Sequence, residues 1–309
     1  MTTESAPSTL GLPVNQNMHQ DTVSIVTPTF NCAPLLQRAI DSVLKQTHQD
    51  WELLVVDNHS NDGTEELVRG YRDSRIRYFK IQNNGVIAAS RNLAISQAKG
   101  EWLAFLDADD WWTPEKLEVS VRSLRQGWDV VYHDLYAAGP GSKGRLRRRV
   151  PSRALRQPVL DDLVNHGNAL PNSSVVVRRS LIDRVGGLSE DPALIAMEDF
   201  DCWLRVARIS DRFLRIKGAH GYYWIGGGNT TNPRRTISTL NELRKRLLNS
   251  ASIAGTPPWM AFALAKAHLQ LSEREAGYRE LKAIRLSNAP ALYLVKKLAL
   301  RALHIFDRR

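Results

Sequence analysis

Residues 23–44 read VSIVTPTFNCAPLLQRAIDSVL, a short strand-forming run followed directly by a pattern typical of a helix. The run VSIVTPTF, residues 23–30, contains the β-branched residues that favour strands. In the part that follows, apolar residues recur at three- and four-residue spacing, which predicts a helix from Pro34 to Gln46. These apolar residues are Leu35, Ala39, Ile40 and Val43. A strand followed by an amphipathic helix is the unit from which parallel sheets are built.

The same alternation continues to about Leu124. Three more strands are predicted, at WELLVVD (51–57), IRYFKIQ (76–82) and EWLAFLDAD (101–109). Helical patterns separate them, at Thr64 to Tyr71 and at Val86 to Ala98. The rhythm predicts an α/β fold with crossover-connected parallel strands.

Composition excludes several classes of protein. With 309 residues, 43% hydrophobic and 24% charged, the chain is typical of a soluble globular protein with one large domain or a main domain and an appendage. Cys32 and Cys202 are too few for a disulfide framework or a cysteine zinc site, which favours a reducing, cytoplasmic compartment. Residues 1–20 are polar and predict a disordered leader, not a signal peptide, and no apolar stretch is long enough to span a bilayer.

Polar residues recur wherever a predicted strand ends. Thr27, Pro28 and Thr29 end the first strand, Asp57 ends the second, residues 83–85 follow the third, and residues 107–110 follow the fourth. In open α/β sheets, ligands bind beyond the carboxyl ends of the strands, so these residues are predicted to share one binding edge. Each of them alone would equally suit a turn or a helix cap.

The segment at residues 107–110 predicts a metal site. No G-x-G-x-x-G or G-x-x-x-x-G-K-[ST] loop follows the first strand, so the usual phosphate-binding loops of dinucleotide enzymes and P-loop NTPases are missing. In an extended segment Asp107 and Asp109 project to the same side, where their charges repel unless a cation lies between them. Oxygen ligands suit Mn²⁺ or Mg²⁺, which complete their shell with water and substrate phosphates. A metal-diphosphate site is predicted.

Residues 23–117 resemble the nucleotide-sugar domain of the family 2 glycosyltransferases. The blocks that carry the resemblance are VSIVTPTFN, SVLKQTHQDWELLVVDNHSNDGT and NNGVIAASRNLAISQAKGEWLAFLDADDWWTPEKL, and further blocks follow downstream at NSSVVVRRSLIDRVGGLSED and MEDFDCWLRVA. The resemblance implies a Rossmann-like mixed sheet flanked by helices, of the GT-A type. The implied domain covers residues 21–235, with a donor half at about 21–125 and an acceptor half at about 126–235, and a helical appendage at 236–309.

On the donor side, the resemblance assigns roles to residues at the strand ends. It implies that Asp57 accepts a hydrogen bond from a pyrimidine ring, although an aspartate here could also cap the turn that follows. It implies that Arg91 lies near the donor phosphates, whereas a solvated helix face is the alternative. The remaining implied donor-binding residues are Thr27, Pro28, Thr29, Asp107 and Ala108, and the implied metal ligands are Asp109 and Asp107.

On the acceptor side, the resemblance assigns Asp199 as the general base and Glu198 as its supporting or acceptor-orienting group. The positive end of the helix dipole also stabilises acids at a helix start, so capping alone would account for one of them. Asp201 is the reserve candidate for the base. Many relatives carry a Y-R-x-H run after the acidic pair, but this chain has Tyr223-Trp224-Ile225-Gly226 there. The acceptor side therefore departs from the family pattern.

The implied function is an inverting, metal-dependent glycosyltransferase, hexosyltransferase-like, that moves a sugar from a nucleoside-diphosphate sugar to a glycan or glycolipid hydroxyl in cell-surface polysaccharide synthesis. UDP is favoured over GDP and dTDP, and Mn²⁺ or Mg²⁺ is the expected cofactor. The alternative is a catalytically inactive sugar- or nucleotide-binding module of the same fold. No nucleic-acid-binding motif accompanies the net charge of +10, so nucleic acid is not an expected partner.

Two basic segments lie outside these motifs. A cluster at residues 143–149 is typical of a solvated loop, and could also attract an anionic acceptor or membrane. In the last segment, residues 289–309, an apolar stripe lies beside basic residues, which suits either core packing, a homodimer contact or peripheral binding to the inner face of the cell membrane. The stripe consists of Leu294, Val295, Leu298, Ala302, Ile305 and Phe306.

Overall fold

A computed structural model describes residues 21–140, 148–226, 232–250 and 255–284. Helices flank a sheet whose strands are β1 (Val23–Thr29), β2 (Trp51–Asp57), β3 (Ile76–Lys80), β4 (Trp102–Phe105), β5 (Trp111–Trp112), β6 (Val130–Ala138), β7 (Arg149–Val150), β8 (Val176–Arg178) and β9 (Phe213–Trp224). Across the sheet the order is β3-β2-β1-β4-β8-β6-β9-β5, with β7 paired to β6. The helices are α1 (Ala33–Leu44), α2 (Thr64–Gly70), α3 (Ile87–Gln97), α4 (Lys116–Arg125), α5 (Val159–His166), α6 (Arg179–Arg184), α7 (Glu198–Ala207), α8 (Pro233–Asn249), α9 (Pro258–Gln270) and α10 (Arg274–Ala283).

The first four strands form the parallel part of the sheet. β1 pairs with β2 on one side and β4 on the other, and Thr29 lies opposite Asp57 in the register. Both β1 and β2 are buried along their whole length, as expected for a parallel sheet covered by helices on both faces. The predicted strands and helices of this half are confirmed, with ends that differ by a few residues. The fourth strand ends at Phe105, so the prediction that Asp107 and Asp109 lie in an extended segment is wrong, and both lie in a turn.

The second half makes the sheet mixed. β8 runs antiparallel to both β4 and β6, β9 runs parallel to β6, and β5 pairs antiparallel with β9. Because β5 follows β4 after only five residues, the segment 106–110 connects the centre of the sheet to its far edge. The predicted α/β fold with a mixed sheet flanked by helices is confirmed.

The C-terminal helices pack into the main core. Leu240, Leu243 and Leu247 of α8 are buried in the same cluster as residues of α5 and α7. The indole N–H of Trp259 in α9 donates to the backbone oxygen of Val164 at 2.8 Å, and its ring contacts Phe200 edge-on. The helices after residue 232 therefore help to hold α7, which carries the predicted acceptor-side acids.

Several predicted features lie outside the described residues. These are the leader at 1–20, most of the basic cluster at 143–149 and the C-terminal stripe at 289–309. None of the helices in the described ranges has both the length and the apolar character needed to cross a membrane.

Candidate active site

An open cleft of about 580 Å³ lies between the carboxyl ends of the parallel strands and the start of α7. It brings predicted donor-side residues and predicted acceptor-side residues together in one space. Its polar lining includes Arg91, Asp107, Asn168, Asn172, Glu198, Asp199, Tyr223 and Arg235. Asp201 is not part of this lining; it pairs with Arg205 along α7 at 2.8 Å.

Arg91 of α3 joins the two sides of the cleft. Its Nη2 donates to Oδ1 of Asp107 at 2.7 Å, and its Nη1 donates to Oε1 of Glu198 at 2.6 Å. The arginine is 4% exposed and Glu198 is 5% exposed, so both charges are compensated within the protein. The alternative of a solvated helix face for Arg91 is therefore wrong. Both terminal nitrogens already bind carboxylates, and contact with donor phosphates stays a prediction.

Asp199 lies beside Glu198 in the first turn of α7 but is partly exposed to the cleft. Its Oδ1 accepts from the backbone N–H of Phe200 at 2.7 Å, and its Oδ2 lies 3.4 Å from the amide nitrogen of Asn168. Burial, together with the neighbouring charge of Glu198, raises the pKa of Asp199 to about 7, against the opposing effect of Arg91. A carboxylate with a pKa near neutrality, facing a cleft, has the properties of a general base.

The predicted metal ligands lie in the turn after β4, which is closed by a hydrogen bond from the backbone N–H of Asp110 to the backbone oxygen of Asp107. Burial and the charge of Asp107 raise the pKa of Asp109 to about 6. The only hydrogen bond to the Asp109 carboxylate among the described residues comes from its own backbone N–H. Two neighbouring carboxylates, one of them held by no other described residue, form a donor set that fits a divalent cation.

The protein alone does not complete such a metal site. In the described part of the chain, no three histidine, cysteine, aspartate or glutamate side chains are grouped so that they could hold a metal. Mg²⁺ and Mn²⁺ sites in phosphate-binding enzymes commonly use one or two carboxylates, and water and substrate phosphates supply the other ligands. Asp107 and Asp109 fit that arrangement.

Asp110 has a different position from its two neighbours. Its side chain is 1% exposed, and its Oδ1 accepts the backbone N–H of Trp224 at 2.8 Å. Burial raises its pKa well above the ordinary range, and the charges of Asp107 and Asp109 add to the effect. Asp110 thus ties the aspartate turn to the end of β9, in agreement with a supporting role for this residue.

Arg38 of α1 also contacts both the aspartate turn and the end of β9, and it was not singled out from the sequence. Its Nη2 donates to the backbone oxygen of Asp109 at 2.8 Å. Its guanidinium lies 3.5 Å from the centre of the Trp111 ring and 4.7 Å from that of Trp224. Trp111 in turn stacks on Tyr222 at 4.6 Å. In the sequence, Arg38 is an ordinary polar position of an amphipathic helix, and only the packing of α1 against β5 reveals its contacts.

The predicted nucleoside end is built around Asp57, which is fully buried. Its Oδ1 accepts the backbone N–H of Ser60 at 3.0 Å and the Ser60 hydroxyl, and its Oδ2 accepts the Tyr78 hydroxyl at 2.6 Å. Asp57 therefore does cap its local turn, and Asp62 accepts from Thr64 in the next one. Binding of a pyrimidine would have to add to or replace these bonds, so that role stays a prediction.

The other predicted donor residues are buried and do not line the cleft. The Thr27 side chain is buried inside β1, Pro28 is also buried in that strand, and neither lines the cleft; Thr29 contacts the Cys32 thiol, and Ala108 is buried in the aspartate turn. Next to Asp57 the surface has an open hollow of about 400 Å³, lined by Asn58, His59, Gln82 and Asn84. The turn chemistry of the sequence indicated Asn84 but not Gln82.

The model of glycosyl transferase family 2 matches residues 24–186, more than half of the chain. The chain belongs to this family. Among its relatives is the UDP-Glc:alpha-D-GlcNAc-diphosphoundecaprenol beta-1,3-glucosyltransferase WfgD of Escherichia coli, 42% identical over 102 residues, which are 33% of this chain and 40% of that protein. The aligned segments of the first three relatives span 20–42% of those proteins' length.

Solved structures share the fold of this family 2 member. The chain is similar to residues 1–349 of S. aureus TarS in complex with UDP, with a TM-score of 0.60 and 20% identity over 86% of this chain and 76% of that chain. It is also similar to the mannosyltransferase PcManGT from Pyrobaculum calidifontis in complex with GDP-Man and Mn²⁺, with a TM-score of 0.54 and 19% identity over 92% of this chain and 81% of that chain. At these identities the likeness establishes the GT-A fold.

Proposed function

We propose that this protein is an inverting, metal-dependent glycosyltransferase that transfers a sugar from a UDP-sugar to a hydroxyl of a lipid-linked glycan in cell-surface polysaccharide synthesis. The observation that carries the proposal is the chain of contacts from Asp107 through Arg91 to Glu198, with the partly exposed Asp199 at its end. Asp107, which would bind the metal, and Asp199, which would act as the general base, both line this cleft.

On the donor side, the nucleoside would occupy the hollow beside Asp57 and the diphosphate would lie over the aspartate turn. Asp109, assisted by Asp107, would hold Mn²⁺ or Mg²⁺. When bound, the cation neutralises charge that develops on the nucleoside diphosphate as it leaves. The UDP complex of TarS and the GDP-Man and Mn²⁺ complex of PcManGT support a nucleotide-sugar donor and a divalent cation for this fold.

On the acceptor side, Asp199 would accept the proton of the attacking hydroxyl. The hydroxyl oxygen forms a bond to the anomeric carbon while the bond from that carbon to the phosphate oxygen breaks, and the displacement inverts the anomeric configuration. Glu198 does not face the hydroxyl freely, because Arg91 holds one of its oxygens. We assign Glu198 the role of positioning the start of α7 and raising the pKa of Asp199 by its charge.

The acceptor and location are proposed from the relatives. The printed name of WfgD specifies a diphosphoundecaprenol-linked acceptor, which supports a lipid-linked substrate here. Such an acceptor would place the enzyme at the inner face of the cell membrane as a peripheral protein.

A transfer assay tests the proposal. UDP-glucose, UDP-N-acetylglucosamine and GDP-mannose are each incubated with the protein, Mn²⁺ and a short-chain lipid diphosphate-linked N-acetylglucosamine, and the product is analysed by proton NMR. An α-configured UDP donor should give a β-linked product, and GDP-mannose should give none. Nucleotide binding without turnover of any donor would favour the inactive module instead, and a retained anomeric configuration would contradict the mechanism.

A further inference from the structure

One arginine of the cleft lining has no partner for its guanidinium among the described residues. Arg235 lines the cleft and is partly buried, yet its guanidinium donates no hydrogen bond and forms no ion pair with any described residue. Every other partly or fully buried arginine in the described ranges has a guanidinium hydrogen bond, as in Arg77, Arg153 and Arg215. None of its guanidinium nitrogens is among the buried polar atoms without a partner, so the group remains open to water and to an anion from outside the chain.

Helix stability does not account for Arg235. It lies in the first turn of α8, where the macrodipole favours acids and disfavours cations. The backbone N–H groups of Arg234 and Arg235 are already capped by the Asn232 side chain, at 3.0 and 3.3 Å. The cation therefore adds nothing to the helix end and leaves it more positive.

The other arginine of the cleft cannot serve as an alternative anion ligand in the same way. Arg91 uses both terminal nitrogens for Asp107 and Glu198. Arg235 therefore has the only guanidinium in the described cleft lining with both terminal nitrogens available. A planar guanidinium fork suits the paired oxygens of a phosphate group.

We propose that Arg235 binds a phosphate group of a substrate in the cleft. The inference rests on the proposed function, and it identifies the substrate chemistry that this side of the site recognises. Two sources supply such a group in the proposed reaction, the diphosphate of the donor and a phosphate of the acceptor.

The test compares Arg235→Gln with Arg234→Gln, which removes the same charge from the neighbouring, exposed arginine at the same helix end. Calorimetry measures binding of UDP with excess Mn²⁺, and then of inorganic pyrophosphate to protein saturated with UDP and Mn²⁺. Arg235→Gln should weaken one of these by about tenfold or more, the scale of a charge-assisted hydrogen bond, while Arg234→Gln changes neither much. Loss in the UDP experiment identifies the donor diphosphate, and loss in the pyrophosphate experiment identifies an acceptor phosphate.

Stability measurements separate binding from folding. The melting temperature of Arg235→Gln should equal or exceed that of the wild type, because a cation leaves the positive end of α8. Arg235→Lys, which keeps the charge without the fork, should recover part of the binding.

Unchanged binding in both experiments, or equal losses in the Arg234 and Arg235 variants, would overturn the assignment. If the wild type itself failed to bind UDP, that result would contradict the proposed function. Pyrophosphate binding to the free protein would then still decide whether Arg235 holds phosphate.

Discussion

The Nη1 atom of Arg91 lies 2.6 Å from Oε1 of Glu198, which is 107 residues away in the chain. This contact joins α3, from the parallel half of the sheet, to the first turn of α7. Since the same guanidinium also binds Asp107, one side chain contacts both the aspartate turn and the start of the helix that carries the candidate base.

Replacing Arg91 should therefore destabilise the protein and disable the site together. Arg91→Met leaves Glu198 buried without its counter-charge, a change that typically costs about 3–5 kcal/mol of unfolding free energy. Urea denaturation measures the loss. The double variant Arg91→Met/Glu198→Gln should regain part of it, because the uncompensated charge is gone.

Arg77 offers a matched control, since it also pairs with a glutamate but lies away from the cleft. Arg77→Met should cost less than Arg91→Met, because Glu52 keeps its hydrogen bonds from the Ser24 hydroxyl and the Lys99 backbone N–H, and it should leave UDP binding unchanged. Equal losses of stability for the Arg77 and Arg91 variants would contradict the central position given to Arg91.

Asp109→Asn should abolish the Mn²⁺-dependent part of UDP binding, because the amide removes the charge that faces the cation. Thermal shift with UDP, with and without Mn²⁺, measures the effect. Asp161→Asn, on the exposed side of α5, is the control and should behave like the wild type. Full stabilisation of Asp109→Asn by UDP and Mn²⁺ would remove Asp109 from the metal site.

Asp199→Asn should keep nucleotide binding and lower kcat by about a hundredfold or more, the scale of losing a general base. Because the pKa of Asp199 is raised to about 7 and the base must be ionised, wild-type kcat/KM should fall as pH drops below 7. A flat pH profile between 5 and 8 would argue against this assignment.

The same pKa has a consequence for stability. A folded-state pKa of about 7, above the unfolded value near 4, means that the folded protein holds a proton that the unfolded chain releases. This group therefore lowers stability as pH rises from about 4 to 7. Asp199→Asn removes the effect, so its melting temperature relative to wild type should be higher at pH 8 than at pH 4. A difference that does not vary with pH would indicate an ordinary pKa for Asp199.

Arg38→Met should weaken Mn²⁺ binding in the presence of UDP, because it frees the backbone oxygen of Asp109 and removes the cation between Trp111 and Trp224. Electron paramagnetic resonance of Mn²⁺ measures the free ion directly. Lys45→Met is the control, because Lys45 is an exposed cation that lines the same surface pocket as Arg38. A lower melting temperature with unchanged Mn²⁺ affinity would show that Arg38 has a structural role only.

The sequence predicted local elements better than long-range contacts. Strands β1, β2 and β4 are mostly apolar runs buried along their whole length, and α1 has a regular apolar stripe, so each is encoded by neighbouring residues. β5 has only two residues and exists because Trp111 and Trp112 pair with β9 more than a hundred positions later. No local pattern could have predicted that strand.

In the site, too, local features were predicted and long-range contacts were not. Asp107 and Asp109 were predicted as metal ligands from residue type and spacing, and Asp199 was predicted as the base from the resemblance to family 2 glycosyltransferases. The partners of Arg91, the stacking of Arg38 and the unused guanidinium of Arg235 depend on how α1, α3, α7 and α8 meet, which spacing along the chain does not specify. The prediction that Asp57 receives a pyrimidine was stated without its observed partners, Ser60 and Tyr78.

The proposed function requires that the aspartate turn form a metal-dependent site for uridine diphosphate. Isothermal titration calorimetry of the wild-type protein with UDP, GDP and dTDP, each with Mn²⁺ and again with excess EDTA, measures this dependence. We expect UDP to bind more tightly than GDP or dTDP and EDTA to remove this binding. Tight UDP binding that persists in EDTA, or no binding of any of the three nucleotides with Mn²⁺, would contradict it.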